Sequence, residues 1–330
     1  MRPALRAAAG YTERVDIDLS VDLAPGQKRG LLLRNPVMPA SGTFSWGFEF
    51  EQHFGREGIE RLGAVVSKGV TMEPRAGNRQ PRVAETPAGM LNSIGLQNVG
   101  IRACIDELAP QWARWDTPVI VNIAGDTVEE FGEMARMLDG VPGVAAIELN
   151  ISCPNVDTGG MEIGQSVEAS ARATRAAVRN TDLPVIVKLT PNVTDPVELA
   201  LACEAEGAAA ICAVNTVLGM AIDIERRRPV LPRARGGLSG PAIKPIALRI
   251  VYDVAGAVRI PVIGCGGIAT ARDALEFLMA GASAVQVGTA TFANPRALLD
   301  IIDGLEAWCA ANGVTRLADI VGCARPATVA

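Results

Sequence analysis

Hydrophobic positions along the chain repeat one kind of unit. Short Val- and Ile-rich runs, several opened by Pro, alternate with stretches of about 10 to 15 residues whose apolar positions fall at helical spacing. The runs at 36–39, 64–67, 119–123, 146–149, 185–189, 209–214, 262–264 and 284–287 predict strands. The segments 127–138, 166–180, 195–206, 242–255, 270–280 and 295–308 predict helices. Thr127 and Glu130 have the spacing of a capping box, and Gly281 after Ala280 supplies a helix stop. An open doubly wound sheet usually has about five or six strands. Eight strands instead predict a closed α/β fold, the (β/α)8 TIM barrel.

Residues 15–33 read differently. Alternating positions on either side of Pro25-Gly26-Gln27-Lys28 predict a β-hairpin that caps the N-terminal mouth of the barrel. Two connections, 69–118 and 216–240, are too long for simple βα loops. Insertions after barrel strands usually build the active site. No low-complexity linker divides the chain, so a single domain over 1–330 is expected, with 1–14 a poorly ordered extension.

The strand ends carry the candidate chemistry. They read Ala40-Ser41, Lys68-Gly69, Asn122, Asn150, Lys188, Asn215-Thr216, Gly266-Gly267 and Gly288-Thr289. Asn and Gly are also ordinary turn residues. Eight polar or glycine endings together nevertheless point to the face where barrel enzymes place their site. Gly264-Cys265-Gly266-Gly267 and Gly288-Thr289 follow the last two strands, where backbone N–H groups can approach a phosphate. That pattern indicates a phosphorylated ligand without saying which. Lys188 is expected either to place a fixed positive charge in the mouth, suited to a developing anion, or to sit in a barrel-interior ion pair for which Glu148 is the available partner.

Composition narrows the picture. Of 330 residues 49% are hydrophobic and 20% charged, with a net charge of −5, enough for a large core and unsuited to nucleic acid. The basic positions Arg226–Arg228, Arg233 and Arg235 are a local exception, read as a solvated or subunit-contact loop. No apolar run approaches the roughly 18 to 20 residues of a membrane span. The N-terminus lacks the apolar core of a signal peptide, so a cytoplasmic location is expected. Seven cysteines show no closely spaced set, which argues against a zinc or iron–sulfur cage within this chain, and no metal site is expected. His53 is the one histidine and is read as a surface residue. Attention passes to Cys153, just beyond the fourth strand in a loop rich in Pro, Asn and Gly. A thiol with an ordinary pKa of about 8.5 can serve as a base near neutral pH if modestly activated.

Several long motifs then occur in order: Asn35-Pro-Val-Met-Pro-Ala-Ser-Gly42, Arg82-Val-Ala-Glu-Thr-Pro87, Met90-Leu-Asn-Ser-Ile-Gly-Leu-Gln-Asn98, Glu148-Leu-Asn-Ile-Ser-Cys-Pro-Asn155, Val187-Lys-Leu-Thr-Pro-Asn192, Asn215-Thr-Val-Leu-Gly-Met220 and Gly236-Gly-Leu-Ser-Gly240. On these the chain resembles the dihydroorotate dehydrogenases, from about Val15 almost to its end. The resemblance implies an FMN flavoenzyme oxidising dihydroorotate to orotate in pyrimidine biosynthesis. It makes Cys153 the base that takes the C5 proton, and Lys188 the cation facing the reduced flavin. It puts Ser41, Lys68, Gly69, Asn122, Asn150, Lys188, Val214, Gly240, Gly266, Gly267, Gly288 and Thr289 around FMN. It puts Lys68, Asn92, Ser93, Ile94, Gly95, Leu96, Asn150, Asn155, Asn215 and Thr216 around the substrate.

A Cys at the base position resembles the soluble class 1 enzymes, and the stretch 215–240 resembles the NAD-linked 1B type within them. That type implies a homodimer of this chain inside a heterotetramer, with FAD and a [2Fe–2S] cluster on a partner subunit. The alternatives are a fumarate-linked 1A enzyme, a dihydropyrimidine dehydrogenase-like flavoenzyme, and, outside redox chemistry, a Schiff-base aldolase using Lys188.

Overall fold

The computed structural model describes residues 16–151 and 160–326. The expected N-terminal extension, Cys153 and Asn155 lie outside these described residues. Eight strands form one sheet: Val37–Pro39, Val65–Val66, Val119–Ile123, Ala146–Asn150, Val185–Leu189, Ala210–Ala213, Val262–Cys265 and Ala284–Val287. Seven parallel ladders join neighbours around the ring, the first strand pairing with the eighth, and the ring is open only between the first and second strands. Between the first and second strands the ring is drawn together by two hydrogen bonds. Gly63 N donates to Val37 O at 2.9 Å, and Asn35 Nδ2 donates to Arg61 O at 2.8 Å. The expected (β/α)8 TIM barrel is the observed fold.

Helices follow the strands as the periodicity predicts, at Val128–Leu138, Val167–Val178, Pro196–Ala205, Lys244–Ala257, Ala271–Ala280 and Ala297–Asn312. Two more complete the outer ring. Phe48–Glu60 departs from helical backbone at Gly55, and residues 101–112 wind through a wider π turn over Cys104–Leu108. Such interruptions blur a strict 3.6-residue period, which is why these two escaped it. The expected capping box at Thr127 forms only by half. Thr127 accepts from Glu130 N, but the Glu130 carboxylate accepts from Asp126 N instead of closing on Thr127. Both halves close at Thr270 and Asp273.

Alternation along each strand sorts the two cores. Ile147, Leu149, Val185 and Val187 point outward to the helices. Ala146, Ile186, Ala210, Ile263 and Ala284 point inward at the N-terminal end, where Leu23, Leu31 and Leu33 pack on them. Those leucines belong to the predicted hairpin, whose strands Val21–Asp22 and Leu32–Leu33 pair antiparallel. The hairpin therefore plugs the barrel floor.

The two long connections meet. Val83–Thr86 and Gly89–Asn92 from the first, with Val217–Met220 and Arg235–Ser239 from the second, make one four-stranded antiparallel sheet above the C-terminal ends of the barrel. Close approach there needs Gly89, because a Cβ on it would stand 2.0 Å from Ser239 O. A smaller pair, Ile222–Asp223 with Arg228–Pro229, carries the basic loop, whose Arg226, Arg227 and Arg228 are exposed as expected.

The plug yields a paired test. Leu33 has no exposed surface and Leu32 is 71% exposed. Leu33→Ala is expected to cost about 2–5 kcal/mol and Leu32→Ala less than about 0.5 kcal/mol in urea unfolding. Equal effects would remove the hairpin from the core.

Candidate functional site

Above the apolar floor, the inward positions of the barrel turn polar. Asn122, Glu148, Lys188 and Gln286 lie one step further along their strands and are all buried. Lys188 Nζ donates to Gln286 Oε1 at 2.7 Å and stands 3.9 Å from Glu148 Oε1. Gln286 Nε2 donates to Glu148 Oε2, and Asn122 Nδ2 donates to Glu148 Oε1 at 2.7 Å. Burial alone would lower the Lys188 pKa. The anionic character of Cys265 and Glu148, with Cys212 behind them, outweighs it and raises the pKa, so the ammonium stays charged. Lys188 thus belongs to an interior ion pair and also lines the cavity above.

That cavity opens on the C-terminal face and is bounded by residues from the ends of every barrel strand except the third. Ser41, Lys68, Gly69, Asn150, Lys188, Val214, Asn215 and Thr216 line it from below and around the rim. Gly266, Gly267, Gly288 and Thr289 line one side. The insertion sheet and its turn contribute Asn92, Ile94, Gly95, Leu96 and Gly240.

Two residues read as site residues fall elsewhere. Ser93 points away from the cavity and accepts from Asn78 Nδ2 at 3.0 Å, so it holds the loop from behind. Asn122 lies below the cavity in the polar layer, with Oδ1 buried and without a hydrogen-bond partner.

The polar rim is fixed by its own contacts. Asn215 Nδ2 donates to Asn150 Oδ1 at 3.3 Å. Thr289 Oγ1 donates to Ser239 Oγ at 2.8 Å, tying the last barrel strand to the insertion sheet. Asn192 accepts from Leu218 N at 2.8 Å and donates to Thr216 O at 3.1 Å, and Asn98 accepts from Thr71 N and Gly100 N. Neither was assigned a role from sequence, although both stand within the quoted motifs.

Ser239, Met90 and Val83 also line the cavity and were missed, because their place depends on how the insertions fold; Phe292, in the short helix Ala290–Ala293 after the last strand, was missed as well. Gln286 had a legible signal: it is the one polar side chain in Ala284–Val287, at the inward parity.

The glycine loops divide by cause. Gly267 has a positive φ of 76°, and a Cβ there would lie 2.6 Å from Lys244 Cβ, so the protein itself requires glycine. Gly288 is different. A Cβ on it would meet nothing closer than Ala40 Cβ at 3.4 Å, an ordinary contact, and its φ lies outside the left-handed region. Packing therefore does not demand glycine there, and the backbone is left open to close approach at that cavity wall. Among the described residues no group of three metal-ligating side chains forms, and no helix is long and apolar enough to cross a membrane.

Comparison with known proteins gives one consistent result. The family model described as dihydroorotate dehydrogenase matches residues 27–308. A dihydroorotate dehydrogenase B (NAD(+)), catalytic subunit, of Trichlorobacter lovleyi is 55% identical over 292 residues, 88% of this chain and 95% of that one. The proteins of the same name from Pelobacter propionicus and Geobacter sulfurreducens are 54% and 52% identical, each over 92% of this chain and at least 97% of their own.

The buried layer makes a stability prediction. Lys188→Met leaves the Glu148 carboxylate buried without its ammonium and is expected to lose about 3–5 kcal/mol. Lys188→Met combined with Glu148→Gln should recover most of that loss. Urea midpoints of the two variants check it, and an unchanged single variant would contradict the ion pair's role.

Proposed function

We propose, for a chain that belongs to the dihydroorotate dehydrogenase family, that it is the catalytic subunit of an NAD-linked enzyme oxidising dihydroorotate to orotate in pyrimidine biosynthesis. It is an oxidoreductase acting on a CH–CH bond. The observation that carries this reading is the cavity itself. A buried cation forms its floor, amide side chains its rim, and a glycine that packing does not demand its phosphate-facing side. The relatives' NAD(+)-linked names favour this over a fumarate-linked or dihydropyrimidine-reducing enzyme.

The residues fit FMN. The backbone at Gly266, Gly267, Gly288 and Thr289 would take its phosphate. Ser41, Lys68, Gly69, Asn150, Val214 and Gly240 would surround the rest of it, with Asn122 supporting from beneath. When bound, FMN supplies the acceptor for the hydride that leaves C6 of the substrate.

Lys188 would hold FMN from the cavity floor, its fixed positive charge suited to negative charge developing in a bound ring. Its charge needs no solvent, because Glu148 and Gln286 keep it in place. Asn92, Ile94, Gly95, Leu96, Asn150, Asn155, Asn215 and Thr216, with Lys68, would orient the substrate's carboxylate and ring amides. Ser93 would act through the loop that it braces. Cys153 would remove the C5 proton.

This chain would work as a homodimer within a heterotetramer, in which a partner subunit bearing FAD and a [2Fe–2S] cluster passes electrons to NAD. A cytoplasmic location accords with that chemistry.

Anaerobic addition of dihydroorotate to the purified yellow chain is expected to bleach its flavin band, and a yellow chain that fails to bleach would sink the substrate assignment. Cys153→Ala is expected to retain FMN and lose roughly 10²- to 10⁴-fold in turnover at neutral pH, the usual contribution of a general base. Near-normal turnover would remove Cys153 from that role.

A further inference from the structure

The polar layer contains two thiols that the reaction does not use. Cys212 is the direct register partner of Lys188 on the neighbouring strand, and Cys265 is the direct partner of Gln286. Both side chains project into the barrel interior. They therefore border the Lys188–Gln286 hydrogen bond from either side. Cys212 is fully buried, whereas Cys265 retains 8% of its surface and lines the cavity floor beside Lys188.

Their surroundings differ from those of the other buried cysteines. Burial pushes the Cys104 thiol up to about 12 and the Cys203 thiol up to about 11. Cys265 moves the opposite way, to about 7. The Cys212 thiol donates to it and the Lys188 charge attracts the thiolate, which together overcome burial and the opposing charge of Glu148. A thiolate is the nucleophilic form of cysteine.

We propose that Cys265 is a reactive thiol at the cavity floor, open to small soft electrophiles and to hydrogen peroxide only while the cavity is empty, so that its modification and cofactor loading exclude each other. Lys188 holds the sulfur as an anion, and Cys212 orients it. With iodoacetamide the sulfur attacks the methylene carbon, an S–C bond forms, and iodide departs with the C–I pair. With hydrogen peroxide the sulfur attacks one oxygen and the O–O bond breaks. Hydroxide leaves and takes a proton to become water, so the thiolate is oxidised to a sulfenic acid and the peroxide is reduced. Either product adds bulk or a polar oxygen where the floor must meet the bound ring. The guarding half of this proposal rests on the FMN reading above.

The test uses the full-length chain stripped of FMN, treated with iodoacetamide and digested with trypsin. Cleavage at Arg259 and Arg272 isolates Cys265 as the sole cysteine of peptide 260–272. FMN binding is followed separately by quenching of flavin fluorescence. In the stripped chain Cys265 is expected to be carbamidomethylated, at a rate that rises as pH is raised through about 7. Buried Cys104 should stay unlabelled, reporting that the chain is folded. FMN at about 100 times its Kd leaves about 1% of cavities open and should slow Cys265 labelling roughly 100-fold. Labelling of exposed Cys323 should not change.

Chain labelled beforehand should no longer quench FMN, and Lys188→Met should move the pH midpoint of labelling upward. An unlabelled Cys265 in stripped chain that still quenches FMN overturns the proposal, as does equal labelling with and without bound FMN. Absence of quenching overturns the FMN reading and the guarding with it, and the peptide map alone then decides the reactive thiol.

Discussion

The buried contact between Lys188 and Glu148, bridged by Gln286 and steadied by Asn122, is the constraint on which the rest of the site depends. Two opposite charges in a barrel interior are costly to desolvate and stable only when their remaining donors and acceptors are met. Here four strands supply those partners from one layer. The layer separates an apolar floor, closed by Leu23, Leu31 and Leu33, from a cavity open to ligand. A positive charge is thereby held at the base of the cavity by partners on fixed strands.

Parity along the strands makes this arrangement possible. In a parallel barrel both strand faces are buried, so outward residues meet helices and inward ones meet each other in layers. On the fourth strand Ala146, Glu148 and Asn150 are the inward positions. They belong in turn to the apolar floor, the charged layer and the cavity rim. On the fifth strand Ile186 and Lys188 follow the same order. One strand thus spans three chemical environments in five residues, and a shift by one residue would exchange core for site.

The insertion sheet is the second determinant. Segments 83–92 and 217–239 are far apart in sequence and pair only because barrel strands two and six both deliver their connections to the same face. Their sheet brings Asn92, Gly240 and Ser239 over a cavity whose floor comes from the barrel. The Thr289–Ser239 hydrogen bond joins the two parts. The mouth is therefore built by antiparallel pairing and not by loop packing alone.

Sequence by itself determined the barrel, the hairpin plug and most of the cavity lining. Eight apolar strand runs, each ending in polar or glycine residues, carry a periodicity that local physics reads directly. Strand and helix bounds agree within a few residues because strands buried on both faces have sharp compositional edges. Where the period was interrupted, at Gly55 and through the π turn at Cys104–Leu108, the helices were not legible. Tertiary structure alone decided that Ser93 faces Asn78 and not the cavity, that Asn122 lies beneath it, and that the two insertions form one sheet. It also decided that Gln286 and Cys265 lie beside Lys188. These outcomes depend on which strands become neighbours around a closed ring and on how their registers align, and no local run of residues encodes either one.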